Sequence, residues 1–201
     1  MSEETDQRLR LSLSRLEVFV ATARAGSTRA AAGRVARSQS AASSSLAELE
    51  AAGKLDDVVT QNIDGLHQIA GSKNVFELHG SVHRNVCQRC GKTYDAKWIM
   101  AREHEDAQGV PICPLCRGEI KPDVVLYEEP LDDNVVNGAV DAIAHADMLI
   151  IGGTSLVVYP AAGLTRFFNG DKLVIINRDP TPQDHNADLL ISCDIAAAFD
   201  F

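Results

Sequence analysis

Six short apolar runs restrict the fold of this chain more than any other feature. They are Val58-Val59, Val75-Phe76, Val124-Val125-Leu126, Met148-Leu149-Ile150-Ile151, Leu173-Val174-Ile175-Ile176 and Leu189-Leu190-Ile191. Each is continuous rather than alternating, so both faces of each strand are expected to be covered. Helical stretches separate several of them. Strands of this kind alternating with helices predict an α/β fold with a parallel sheet between helical layers.

In such sheets a ligand binds beyond the carboxyl ends of the strands. The residues at those ends are polar or small: Gln61, Asn62 and Asp64 after the first run, and His79 after the second. Gly152, Gly153, Thr154 and Ser155 follow the fourth run, and Asn177 follows the fifth. Amide, hydroxyl and carboxylate groups along one rim suit the hydroxyls of a ribose, and the two glycines allow a backbone to come close.

Cys87, Cys90, Cys113 and Cys116 form two C-x-x-C pairs. Each pair chelates from one tight turn, and four thiolates close a tetrahedral zinc site with no open position. The zinc is therefore expected to be structural, and its removal to unfold the module around it, about residues 82–122. Cys193 stands apart and reads as a small apolar residue. His67 reads as a structural loop residue, while His83, His104, His145 and His185 receive no role.

The net charge of −9 hides an asymmetry. Residues 10–45 carry six Arg against one acid, whereas residues 53–201 carry 12 Lys and Arg against 22 Asp and Glu. In the basic stretch Leu13, Leu16, Phe19, Val20 and Ala23 recur at helical spacing. Gly26 interrupts them, an Ala-rich helix follows, and a third helix starts near Ser38. Three short helices of this kind describe a helix-turn-helix, whose Ser38, Gln39, Ser40 and Ser43 could donate to phosphates and base edges. A three-helix cap that reads nothing fits the same spacing. Weak, salt-sensitive DNA contact through residues 10–45 is the corresponding expectation.

Two resemblances follow. "RLEVFVATARAGSTRAAAGRVARSQSAASSSLAELEAA" resembles the first half of the DNA-binding domain of LysR-type transcriptional regulators, without the wing and linker helix of that family. "VVTQNIDGLHQIAG", "ELHGSVHR", the two C-x-x-C pairs, "IKPDVVLYEE", "IIGGTSLVVYPAA" and "LVIINRDPTP" occur in the order found in sirtuins, the NAD-dependent protein-lysine deacylases. The sirtuin resemblance covers about three quarters of the chain.

It implies NAD as cofactor beside zinc, and an acylated lysine of a protein as substrate. It implies that His79 is the general base toward the ribose hydroxyls, with Asn62 and Asp64 positioning the ribose and the attacked carbon, and Gln61 touching the ribose. Gly153, Thr154, Ser155 and Asn177 would hold the adenosine half, with Cys193, Asp194 and Ile195 near the adenine. Val124 and Val125 would offer backbone to a substrate peptide that adds as a strand, with Tyr127 beside it.

No counterpart of the first sirtuin strand or of its glycine-rich phosphate loop is read here. The only glycines before Gly53 are Gly26 and Gly33. The expected fold is thus an incomplete doubly wound, Rossmann-like parallel sheet with a small zinc module. A helix-turn-helix-like segment, 1–52, precedes a sirtuin-like domain, 53–201. The expected function is a sirtuin-type NAD-dependent deacylase impaired by the missing loop. The alternatives are a zinc-stabilised DNA-binding or regulatory protein with a relict nucleotide fold, or an artificial chimera. No apolar run reaches the length of about 18 residues that a membrane span needs. The polar N-terminus "MSEETDQRLR" has no signal-peptide core, so a cytoplasmic location is expected.

Overall fold

The computed structural model describes residues 17–20, 29–126 and 128–199. Contacts divide the chain into two compact units. One comprises Met1–Gln61, Leu66–Leu78 and Asp132–Phe201; the other comprises Asn62–Gly65 and His79–Leu131.

The first unit is built on a six-stranded, all-parallel sheet. Its strands are β1 (Glu17–Val20), β2 (Val58–Thr60), β3 (Val75–Glu77), β7 (Leu149–Gly152), β8 (Leu173–Ile176) and β9 (Leu189–Ile191). They lie in the order β3-β2-β1-β7-β8-β9. The order reverses between β1 and β7, the topological switch point of a doubly wound sheet.

The sheet is therefore not incomplete. Val18, Phe19 and Val20 pair with Val58, Val59 and Thr60 on one side and with Ile150, Ile151 and Gly152 on the other. The helical spacing around Phe19 was misleading. A short isolated helix is marginal in water. A strand between two inner strands satisfies backbone groups on both sides that would otherwise be buried without partners.

The helix-turn-helix is likewise corrected. α1 is one continuous helix of 23 residues, Arg29–Ala51. Gly33, and Ser38 near which a third helix was expected to start, lie inside it. A single Gly costs only about 1 kcal/mol relative to Ala, and the flanking Ala-rich sequence carries the helix through. Leu13, Leu16, Ala23, Gly26 and the polar N-terminus lie outside the described residues.

The second half of α1 presents Ala42, Leu46 and Leu49 to the sheet at spacings of four and three. There they meet Val58, Met148, Ile150, Val174 and Ile176 in one buried cluster. Ile195 and Phe199, at the ends of α5 (Ile195–Ala198) and just beyond it, complete that cluster. Successive strand residues face opposite ways, so Leu149, Ile151 and Ile175 form the other buried face. α4 (Asp133–His145) contributes the buried Ala139 and Ile143.

Gly53 ends α1 with φ +65. Its N–H donates to the Glu50 carbonyl at 2.9 Å, and the Lys54 N–H donates to the Leu49 carbonyl at 2.9 Å. This is the Schellman pattern, with glycine in the left-handed position that a side chain resists. The Glu50 carboxylate then accepts from the Lys73 and Asn74 amides, fixing the approach to β3.

The second unit holds a three-stranded antiparallel sheet in the order β5-β4-β6. Its strands are β4 (Gly80–Cys87), β5 (Thr93–Asp95) and β6 (Ile120–Val124). The Val124–Leu126 run thus ends an antiparallel edge strand and does not join the parallel sheet. Pro122, which has no N–H, sits on this edge strand, as proline in a sheet must. α3 (Ala96–Met100) follows β5, capped by the Asp95 carboxylate accepting from the Trp98 N–H at 2.7 Å. α2 (Leu66–Ala70) belongs to the first unit and buries His67. Among the described residues, no helix is long and apolar enough to cross a membrane.

Candidate functional site

The cysteine cluster forms from two similar turns. Cys87 ends β4, and its carbonyl accepts from the Gly91 N–H at 3.0 Å, with Gly91 at φ +71. The Cys113 carbonyl accepts from the Arg117 N–H at 2.9 Å, with Arg117 at φ +62. Each turn carries one C-x-x-C pair, and all four sulfurs lie within 4.8 Å of one another. Cys87 and Cys116 are 3.4 Å apart at sulfur, and Cys90 and Cys113 are 3.7 Å apart. A tetrahedron of thiolates about 2.3 Å from a zinc ion has edges of about 3.8 Å. The four cysteines are positioned to hold one metal ion.

The surroundings prepare the sulfurs for that role. The Tyr94 hydroxyl lies 3.0 Å from Cys113 Sγ. That hydrogen bond holds the buried Cys113 thiol down to about 6. Burial opposes ionisation of Cys87, but the Cys90 and Arg89 amides outweigh it and hold this thiol below its ordinary value. At Cys116 the Gly118 amide favours the thiolate, while burial and the facing sulfurs push the thiol up to about 12. One sulfur accordingly ionises first and the last requires the metal charge. Tyr94, Trp98 and Ile99 pack beside the cluster. The Trp98 ring lies tilted against Tyr94, with centroids 4.3 Å apart, and stacks on His104 at 4.6 Å. The contribution of Tyr94 was not legible from sequence, because only the fold brings it to a sulfur 19 residues away.

In the first unit, the parallel strands put Gln61, Gly153, Thr154, Ser155, Asn177, Cys193, Asp194 and Ile195 at or just past carboxyl ends on one rim. Gly153 has φ +62, and its N–H donates to the Ile176 carbonyl at 3.0 Å. Thr154 is buried, and its Oγ1 accepts from the Leu156 N–H at 3.1 Å. The Asn177 side-chain nitrogen donates to the Asp179 carbonyl at 2.8 Å, which fixes the orientation of the amide. The Asp194 carboxylate accepts from the Ala196 N–H at 2.9 Å. Cys193 is half-buried against the core, as a small apolar residue should be, with Sγ 3.3 Å from the Asp194 carbonyl.

In the second unit, Asn62, Asp64 and His79 are all half-buried. The His79 carbonyl accepts from the Val125 N–H at 3.0 Å. That pairing turns the backbone groups of the adjacent Val124 toward the open side of β6. The Val124 carbonyl accepts there from Lys121 Nζ at 2.9 Å, and Lys121 also pairs with Glu129 at 3.0 Å. Tyr127 lies outside the described residues.

The DNA reading loses its geometry, because Glu17–Val20 is a strand and Arg29–Ala51 a single helix.

Comparison with known proteins agrees with this architecture. A model of the Sir2 family matches residues 16–160. The chain is 64% identical over 148 residues to an NAD-dependent protein deacetylase of Clostridium perfringens, covering 73% of this chain and 59% of the relative. It is 59% identical over 152 residues to one of Clostridium acetobutylicum, covering 76% and 60%. The chain thus spans about 60% of the length of the curated relatives it matches. A solved Sir2 with a p53 peptide and NAD+ superposes with a TM-score of 0.82 at 30% identity, covering 99% of this chain and 96% of that one. A Sir2 bound to an acetylated peptide gives 0.82 at 31%, with the same coverage.

Proposed function

The chain belongs to the Sir2 family, and on that premise we propose that it is an NAD-dependent protein-lysine deacylase. The observation that carries this reading is the strand order, with its reversal between β1 and β7. A dinucleotide binds at such a reversal, and the rim there offers the residue types that ribose and adenine require.

The assignment of roles is as follows. His79 takes a proton from a ribose hydroxyl, the task of a positioned general base. Asn62 and Asp64 orient the ribose and Gln61 touches it. Gly153 admits a close backbone approach, Thr154 and Ser155 contribute hydroxyls, and Asn177 contributes its side-chain amide to the adenosine half. Cys193, Asp194 and Ile195 flank the adenine. The cofactor, when bound, supplies an electrophilic ribose carbon and a nicotinamide leaving group.

The acylated lysine arrives in an extended peptide that adds to the open edge of β6 at Val124 and Val125, beside Tyr127. The Val125 N–H is held by His79, so Val124 is the residue that faces the incoming strand. Lys121 must release the Val124 carbonyl when that strand binds. Zinc is the metal that four thiolates select, and with no open ligand position its work is structural. Thiols kept for a metal point to a reducing, cytoplasmic compartment. The sequence between β1 and α1 holds one glycine, Gly26. A segment so poor in glycine, without the phosphate loop of the family, is expected to give weak cofactor affinity and slow turnover.

The test is deacetylation of an acetyl-lysine peptide by the zinc-loaded chain with and without NAD. Mass spectrometry should find nicotinamide, free lysine peptide and O-acetyl-ADP-ribose in equal amounts. A folded, zinc-loaded chain that gives no NAD-dependent product refutes the reading.

A further inference from the structure

β4 does not run evenly beside β6. Ser81 faces Asp123 and Asn85 faces Pro122, so Val82, His83 and Arg84 have no counterpart on β6. A bulge of this kind turns backbone and side-chain groups out of the ladder, often beside a functional site. Here they turn onto the loop Asn62–Gly65. The Val82 N–H donates to the Ile63 carbonyl at 3.0 Å. His83 Nε2 lies 2.8 Å from the next carbonyl, that of Asp64. The His83 N–H donates to Ser81 Oγ at 3.2 Å.

Gly65 completes the fit. It has φ +68, and a Cβ there would lie 2.6 Å from His83 Cδ2. The imidazole therefore lies against backbone where only a hydrogen can stand. A carbonyl oxygen only accepts, so the ring must carry its proton on Nε2.

We infer that His83 is a positioning residue that holds the Asn62–Asp64 loop in its working conformation, with Gly65 as the seat of its ring. The inference rests on the assignment of Asn62 and Asp64 to the ribose. In the sequence these two residues flank Ile63, and the Ile63 and Asp64 carbonyls are both held from one bulge. A loop displaced by even 1 Å at a reacting centre loses rate.

The test uses the full zinc-loaded chain and two substitutions. His83→Phe keeps a flat ring over Gly65 and removes the donor; His83→Gln returns a donor. His83→Phe should lower kcat/KM for NAD about 3- to 10-fold, the worth of one hydrogen bond. The KM for acetyl-lysine peptide should be unchanged and the thermal midpoint should stay within about 2 °C. His83→Gln should recover most of the loss. Full activity in His83→Phe, or equal impairment in His83→Gln, overturns the inference. A wild-type chain without NAD-dependent activity refutes the proposed function instead. Nuclear magnetic resonance then decides on His83. The 15N signals should show the Nε2–H tautomer, and His83→Phe should shift the Asp64 carbonyl 13C signal. An Nδ1–H tautomer or an unmoved carbonyl overturns it.

Discussion

The Tyr94 hydroxyl and the Cys113 sulfur, 3.0 Å apart, couple the zinc-site chemistry to the packing of the second unit. Tyr94→Phe keeps the ring and removes the donor. A lost hydrogen bond beside a ligand weakens metal affinity about 10-fold or more. The sign of the pH effect follows from Cys113, whose thiol is held down to about 6 from 9.0. A depressed thiol contributes stability that is complete above 9.0 and lost as pH falls toward 6. Without Tyr94 the thiol value rises, so acid should release zinc at a higher pH from Tyr94→Phe than from the wild type. A competition titration with a zinc dye at several pH values measures this, and identical release profiles would contradict it.

Metal analysis should find one zinc per chain. Chelation should unfold the cysteine-bearing unit, because folding and metal binding are one equilibrium in such modules. Trp98, the only tryptophan in the sequence, packs against Tyr94 beside the cluster and reports the change by fluorescence. An unchanged emission spectrum after complete zinc loss would show that the turns hold without the ion.

Two substitutions in and after α1 separate packing from backbone conformation. Leu46 is 0% exposed, and Leu46→Ala should cost about 2–5 kcal/mol in denaturant unfolding. Gly53→Ala meets no atom within 4 Å, so only the left-handed φ resists it, at about 1 kcal/mol. Equal losses from the two changes would contradict this assignment.

The position of β1 is open to hydrogen exchange. Amides of Val18–Val20 that lie between β2 and β7 should exchange as slowly as those of Leu149–Gly152. Exchange within seconds would return these residues to the surface.

His79→Ala should lower turnover by at least about 100-fold, the contribution of a positioned general base. The fold, read by circular dichroism and zinc content, should be unaffected. Turnover near the wild-type level would remove His79 from the reaction.

The sequence revealed what depends on local chemistry. The Gly53 cap, the two cysteine turns and the apolar strands β7 and β8 each announce themselves within a few residues. β1 did not, because Phe19 and Val20 fit a helical period as well as a strand, and only β2 and β7 decide between them. A new helix was read near Ser38, yet the helix runs through it without a break. His83 carried no signal, since its role arises from a bulge that register alone creates. Val124 and Val125 read alike in the sequence, and which of them turns its backbone away from β4 depended on the bond between the Val125 N–H and the His79 carbonyl.

The edge of β6 has a further consequence. An uncovered strand edge is a template for indiscriminate pairing, and natural sheets defend such edges with proline and charge. β6 reads Ile-Lys-Pro-Asp-Val. Pro122 withholds one donor, and Lys121 and Asp123 place opposite charges on either side of it. These guards leave Val124, at the far end, as the stretch of backbone that another strand can reach. The same strand is thus guarded along its length, and under the proposed function its tip is where a substrate strand would add once Lys121 lets go.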